Sequence, residues 1–308
     1  MTTAFVLSGG GSLGAVQVGM LAALHERDFQ PDVLIGTSVG ALNAAYVGAH
    51  GFDSDALEQL AAVWRRIRRP DVFPLDPLRQ ALALAGRRSS LCSAGPLRRL
   101  IDANLSFTRL EDSPIPLHVV ATDVLSGEEL LLSSGDARSA VLASAAIPAV
   151  FPAVEREGRL LMDGGVANNT AISQAVALGA DRIVVLPTGF SCALLAPPAT
   201  PLGSALHALT LLIEQRLIVE VAHFAERADI IVLPPLCPLS VSAIDFGASD
   251  ALMTQAHRAS ADWLDAGHHQ LPHPERFLSL HSHRWVKGTK GSVDGEDVTP
   301  DVGAQGAA

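Results

Sequence analysis

The sequence predicts an α/β layered fold around a mostly parallel sheet, and three observations carry the prediction. Short apolar runs alternate along the chain with stretches of helical periodicity. Two glycine-flanked segments, Ser8-Gly9-Gly10-Gly11 and Gly36-Thr37-Ser38-Val39-Gly40, stand where an apolar run ends and a helical pattern begins. Hydrophobic residues make up 48% of the 308, enough to bury a sizeable core and to exclude a largely disordered chain.

Thr3–Leu7 reads as a buried strand because an uncharged, mostly apolar run leads directly into Ser8 and three glycines. A helix is expected over Gly14–Arg27, where Val18, Leu21 and Leu24 recur three apart. Asp32–Thr37 follows as a second strand and Val39–Ala49 as a helix of small residues. Later apolar runs place strands at Leu117–Ala121, Glu129–Ser133, Leu160–Met162, Arg182–Leu186 and Asp229–Val232. Helical patterns fill Asp136–Ala145, Ala171–Leu178, Ala205–Glu226 and Ser249–Ala266. These elements make one domain over about residues 1–270. From His281 to Ala308 the chain is rich in Gly, Ser and Asp without apolar period, and is expected to be disordered.

Composition narrows the function classes. A formal net charge of −10 argues against nucleic acid as a main partner. Cys92, Cys192 and Cys237 are far apart and odd in number, suggesting neither a disulfide framework nor a zinc site. No ligand cluster of the HExxH kind calls for a metal, and no cofactor is expected. No basic leader followed by an apolar run precedes Thr3, so no cleaved signal peptide is expected and the expected location is cytoplasmic. The longest apolar stretch, Ala193–Ile213, is interrupted by Pro197, Pro198 and Pro201 and does not read as a membrane span.

Gly36-Thr37-Ser38-Val39-Gly40 fits G-x-S-x-G between a predicted strand and a predicted helix. A sharp turn there would project Ser38 into a site, with Gly36 and Gly40 relieving the crowding and the helix dipole favouring negative charge. The plainer alternative is a tight turn in which Ser38 only caps a helix. Gly9-Gly10-Gly11, with Gly14 three residues on, occupies a second strand-to-helix junction. Successive amides without Cβ atoms can converge there on a phosphate or a tetrahedral oxyanion. Gly9, Gly11 and Gly14 also satisfy G-x-G-x-x-G. The acidic residue that would hold a ribose is missing, however, because the second strand ends in Gly36-Thr37-Ser38. No lysine follows the glycines, so a Walker loop fails as well.

A serine nucleophile needs a base. None of the eleven histidines stands in a glycine-flanked turn. Asp163-Gly164-Gly165, by contrast, ends an apolar strand, where an open α/β sheet holds its ligands. Burial near an apolar substrate would raise that carboxyl toward a useful base. An Asx turn after a strand is the plainer alternative.

A glycine-rich loop, then Gly-x-Ser-x-Gly some 25 residues on, then Asp-Gly-Gly well downstream: this ordered set resembles the patatin-like phospholipases. Ala121-Thr122-Asp123 running to Ser126-Gly127-Glu128, and Ser144-Ala145-Ala146-Ile147-Pro148 running to Phe151-Pro152, are similar to the same family. The resemblance spans about Ala4–Val185. It implies a three-layer α/β/α sandwich and lipid acyl hydrolase activity through a Ser–Asp dyad without histidine. By position, Ser38 would be the nucleophile, Asp163 the proton acceptor, and Gly9, Gly10 and Gly11 the oxyanion loop. One departure stands out: Leu13 occupies the place where the family usually carries Arg or Lys, which favours a neutral or lysophospholipid ester. Two rivals stay open, a Ser–Asp–His esterase using a late histidine such as His257, and a non-catalytic lipid-binding module.

Residues 65–99 hold nine arginines against Asp71 and Asp76, a local excess of seven positive charges in an acidic protein. Ile67, Val72, Phe73, Leu75, Leu82 and Leu84 lie among them. This helical insert is expected to be either a solvated face or a lid that makes peripheral contact with a membrane.

Overall fold

The computed structural model describes residues 1–189, 201–237 and 241–271, together with Pro274 and Leu278. Five parallel strands form its centre in the order β3 (Leu117–Asp123), β2 (Val33–Thr37), β1 (Thr3–Leu7), β7 (Arg182–Leu186) and β8 (Asp229–Val232). Three antiparallel strands extend one side. β4 (Glu129–Leu132) and β6 (Arg159–Asp163) both pair with β3, and β5 (Val154–Arg156) pairs with β6. Every residue of β1 is buried, as an apolar run must be when both faces of a parallel sheet are covered.

Alternation along the strands sends side chains into two cores. Phe5, Leu7 and Leu34 meet α1 (Gly14–His25), α2 (Val39–His50), α7 (Ala137–Ser144) and α10 (Ser249–Asp265). Ala4, Val6 and Ile35 meet α8 (Ile172–Ala177) and α9 (Pro201–Phe224) on the other face. Helices on both faces of one sheet give the three layers expected from the resemblance.

Two regular elements lie outside the expected set. Helix α3 (Ser54–Arg66) buries Leu57, Leu60, Ala61 and Trp64 on one stripe, and Asp53 caps it by accepting from the Ala56 amide at 2.9 Å. Strand β5 has only three residues, too few for a period to register. The arginine-rich segment is helical in pieces, comprising α4 (Arg69–Val72), α5 (Pro77–Leu84) and the start of α6 (Gly95–Asn104). The cysteine reading needs one correction. Cys92 is free and buried, but Cys237 is disulfide-bonded, a pairing that spacing along the chain cannot reveal. No helix among the described residues is long and apolar enough to cross a membrane. The expected disordered tail, 281–308, lies outside the described residues.

Candidate active site

Sheet register brings Ser38 and Asp163 together. Thr37, the last residue of β2, pairs with Val120, and Asp163, the last of β6, pairs with the next residue, Ala121. Strand β4 holds the opposite edge of β3 over Val119–Thr122, so β2 and β6 share one edge and approach head to head. At their meeting point Ser38 Oγ donates to Asp163 Oδ2 at 2.7 Å, with both residues buried.

Ser38 adopts φ 53° and ψ −121°, a left-handed conformation that costs a non-glycine residue about 1–3 kcal/mol. Several contacts hold it there. Its amide donates to Ser144 Oγ at 2.8 Å, and its carbonyl accepts from the amides of Ala41 and Leu42 as α2 begins. A Cβ on Gly36 would lie 2.5 Å from Ala41 Cα, and one on Gly40 would lie 2.1 Å from Leu7 O. These glycines let the chain reverse sharply and let α2 rest directly on the end of β1.

Asp163 is fixed as firmly. Its Oδ1 accepts from the Gly165 amide at 2.8 Å, its own amide donates to Ala146 O at 3.0 Å, and its carbonyl accepts from Thr122 Oγ1 at 2.9 Å. A Cβ on Gly164 would lie 2.3 Å from Val120 O, so the turn packs against β3 without room for a side chain. Burial pushes the carboxyl up to about 6, against the opposing pull of the bonds from Ser38 and Gly165. At neutral pH the group is therefore mostly anionic yet basic enough to take a hydroxyl proton.

The glycine loop passes beside this pair, close enough that a Cβ on Gly9 would touch Ser38 Cβ at 3.0 Å. The three amides are not equivalent. Gly9 N–H donates to Asn169 Oδ1 at 3.1 Å, whereas Gly10 and Gly11 N–H have no partner among the described residues. Of the loop's amides, those of Gly10 and Gly11 are thus the ones left open among the described residues. Gly11, at φ 61°, and Gly14, whose Cβ would lie 2.4 Å from Val39 Cγ2, complete the loop's turn into α1.

From Gly11 and Ser38 an almost wholly apolar cavity extends between α2, α3 and α7, lined by Leu42, Ala45, Tyr46, Trp64, Val141 and others. Ile67, Val72 and Phe73 of the arginine-rich segment form part of its wall. Residues 38 to 46 on α2 give it a depth of about 12 Å along the helix axis. No histidine lines it. His257 instead bonds Glu26 Oε1 at 2.8 Å in an exposed contact on α10.

Three supporting groups are absent from the predicted site. Asn169 secures Gly9. Asn168 Nδ2 bonds Glu129 and the buried Glu220, tying the turn after Asp163 to α9. Asn43 accepts from Trp64 Nε1 at 2.9 Å and donates to Gly14 O and Gln17 Oε1, while Gln17 donates to Ser8 O and Leu186 O. That chain of bonds stitches the glycine loop to α2 and β7. Asn168 and Asn169 stand three and four residues after the Asp-Gly-Gly turn, which is a local signal; Asn43 offers none beyond its place on an apolar helix.

Residues 5–176, a span holding the glycine loop, Ser38 and Asp163, match the sequence profile of the patatin-like phospholipases. The chain belongs to the patatin-like phospholipase family. Among curated relatives, an uncharacterised NTE family protein of Mycobacterium tuberculosis is 29% identical over 264 residues, 83% of this chain and 40% of its own length. A protein named lysophospholipase NTE1 from Pyricularia oryzae is 27% identical over 191 residues, 60% of this chain and 12% of its own. This patatin-like chain therefore spans less than half the length of these curated relatives. Among solved structures, human GIVD cytosolic phospholipase A2 aligns over 90% of this chain and 60% of its own, at TM-score 0.44 and 12% identity. VipD from Legionella pneumophila aligns over 90% and 66%, at TM-score 0.43 and 16% identity.

Proposed function

We propose that the protein is a lipid acyl hydrolase that works through an acyl-serine intermediate. The observation that carries the reading is the 2.7 Å bond from Ser38 Oγ to Asp163 Oδ2 at the end of an apolar cavity. Asp163, held near 6, takes the hydroxyl proton as Ser38 Oγ attacks the ester carbonyl. The amides of Gly10 and Gly11 receive the negative charge that develops on the carbonyl oxygen, with the N-terminus of α2 adding to the field. Losing one such donor typically costs about 3 kcal/mol of transition-state stabilisation. Asp163 returns the proton to the leaving alcohol, then takes one from the water that attacks the acyl-serine, and passes it to Ser38 Oγ as the fatty acid departs.

The apolar cavity that reaches Ser38 can receive an acyl chain. Together with Leu13 in place of the family's usual cation, this favours a single-chain ester such as a lysophospholipid. The name of the Pyricularia relative points the same way. A histidine-based triad has no support from the cavity lining.

The test compares p-nitrophenol release from medium-chain esters by the wild type, Ser38→Ala and Asp163→Asn. Wild-type turnover and a loss of at least about 10³-fold in both folded variants are expected. A fluorophosphonate should label wild type and leave Ser38→Ala untouched. Retained activity in Asp163→Asn would move the base elsewhere.

A further inference from the structure

The arginine-rich segment turns two different faces to its surroundings. Its inner residues Val72 and Phe73 are buried and line the cavity that ends at Ser38. Its outer element, α5, buries no residue at all. Along α5 the exposed positions are Pro77, Leu78, Ala81 and Leu84, while Arg79, Gln80, Leu82 and Ala83 are half-buried. Leu78, Ala81 and Leu84 recur at intervals of three and so lie along one side of the helix. Leu78 is 72% exposed, Leu84 84%, and Leu75, just before the helix, 68%. The one charged residue of α5 faces inward, Arg79 donating to the buried Ser90 Oγ at 2.8 Å.

This arrangement is the reverse of an ordinary surface helix, which turns its apolar stripe to the core. On either side in sequence stand Arg66, Arg68, Arg69, Arg87 and Arg88, all exposed and none paired with a carboxylate among the described residues. Arg65, by contrast, is tied to Glu58 and Asp250. The chain as a whole carries −10, so unpaired positive charge around an outward apolar ridge is a local specialisation.

We propose that α5 and its flanking arginines form a docking surface for an anionic phospholipid bilayer. Leucines entering the boundary between headgroups and acyl chains would leave the guanidinium groups at the phosphate level. Because the same segment walls the cavity, docking would set that wall against the lipid from which a substrate must come. The biological purpose rests on the acyl-hydrolase reading, whereas the binding itself does not.

The experiment measures co-sedimentation of the full chain, as Ser38→Ala so that lipid stays intact, with vesicles of phosphatidylcholine alone or mixed with phosphatidylglycerol. Binding to the anionic vesicles, weakened by salt, is expected. Arg87→Gln with Arg88→Gln should weaken it on the order of 30-fold, at about a tenfold change per 1.4 kcal/mol. Leu78→Ser with Leu84→Ser should weaken it independently. In a Ser38 background both pairs should leave hydrolysis of a soluble short-chain ester unchanged. Equal binding to both vesicle types, or unaltered binding by either pair, overturns the proposal. So does a concentration-dependent dimer that the leucine pair abolishes. A wild type inert toward soluble esters but bound to anionic vesicles would sink the hydrolase reading and leave the docking surface standing.

Discussion

Asn169 holds Gly9 from both sides: its Oδ1 accepts from the Gly9 amide at 3.1 Å and its Nδ2 donates to the Gly9 carbonyl at 3.4 Å. One amide side chain thereby mimics a strand partner for a single residue, and it comes from the turn that carries Asp163. Thr188 Oγ1 also donates to the Gly9 carbonyl, at 2.6 Å, and the two side chains together set the glycine loop against Ser38.

Asn169→Ala should therefore reduce kcat by about 10- to 100-fold while changing KM little, because Gly10 and Gly11 lose their alignment to the developing oxyanion. The fluorophosphonate labelling rate should fall in parallel. A fall confined to thermal stability, with kcat intact, would assign Asn169 a purely structural role.

The Asp163 carboxyl, pushed up to about 6 by burial, sets a pH limb. With a base that must be ionised, kcat/KM for a soluble ester should fall about tenfold per pH unit below 6 and level off above it. A profile flat through that range would show that another group accepts the proton, and a limb near the ordinary carboxylate range would show that burial does not raise Asp163.

The same shift costs the fold stability. The folded carboxyl binds its proton more tightly than the unfolded one, at about 6 against 3.8. Its contribution is thus fully present below about 3.8 and is lost as pH rises through 6. At about 1.4 kcal/mol per unit, the burden at pH 8 is on the order of 3 kcal/mol. Asp163→Asn should relieve most of it, giving a protein that is inactive yet more resistant to urea at pH 8, with the gain vanishing near pH 4.

Cavity depth can be tested from within. Ala45 is buried and lines the cavity two turns along α2 from Ser38. Ala45→Phe should leave short-chain ester hydrolysis nearly unchanged and penalise long chains, at about 0.8 kcal/mol per methylene denied burial. Four methylenes would amount to roughly 200-fold in kcat/KM. A uniform loss across a chain-length series would place the acyl chain elsewhere.

Much of this molecule could be read from its residues, for identifiable reasons. Thr3–Leu7, Arg182–Leu186 and Asp229–Val232 match the strands residue for residue, because apolar runs with abrupt ends are what two-sided burial demands. Ser38 and Asp163 were legible because glycines must surround them where backbones touch. What resisted reading depends on partners distant in sequence. Ser144, which receives the Ser38 amide, drew notice only as part of a family segment, since a serine ending a helix carries no private signature. Asn43 makes sense only once Trp64 and Gln17 are beside it. Helix α3 did leave a trace, an Asp53 cap before Leu57, Leu60 and Trp64 at helical spacing, yet it is missing from the expected elements. For the arginine-rich insert, residue order left open whether a solvated or an apolar side faces outward; α5 turns Leu78, Ala81 and Leu84 out.

The head-to-head meeting of β2 and β6 has a consequence for synthesis. Ser38 is translated 125 residues ahead of the carboxylate it bonds, and only a completed β3 offers both strands an edge. A partial chain on the ribosome carries the serine turn without Asp163, so on the proposed mechanism it should be inert. On the proposed mechanism, hydrolysis would begin only when the antiparallel side of the sheet closes, so its onset during refolding would report that late, long-range step.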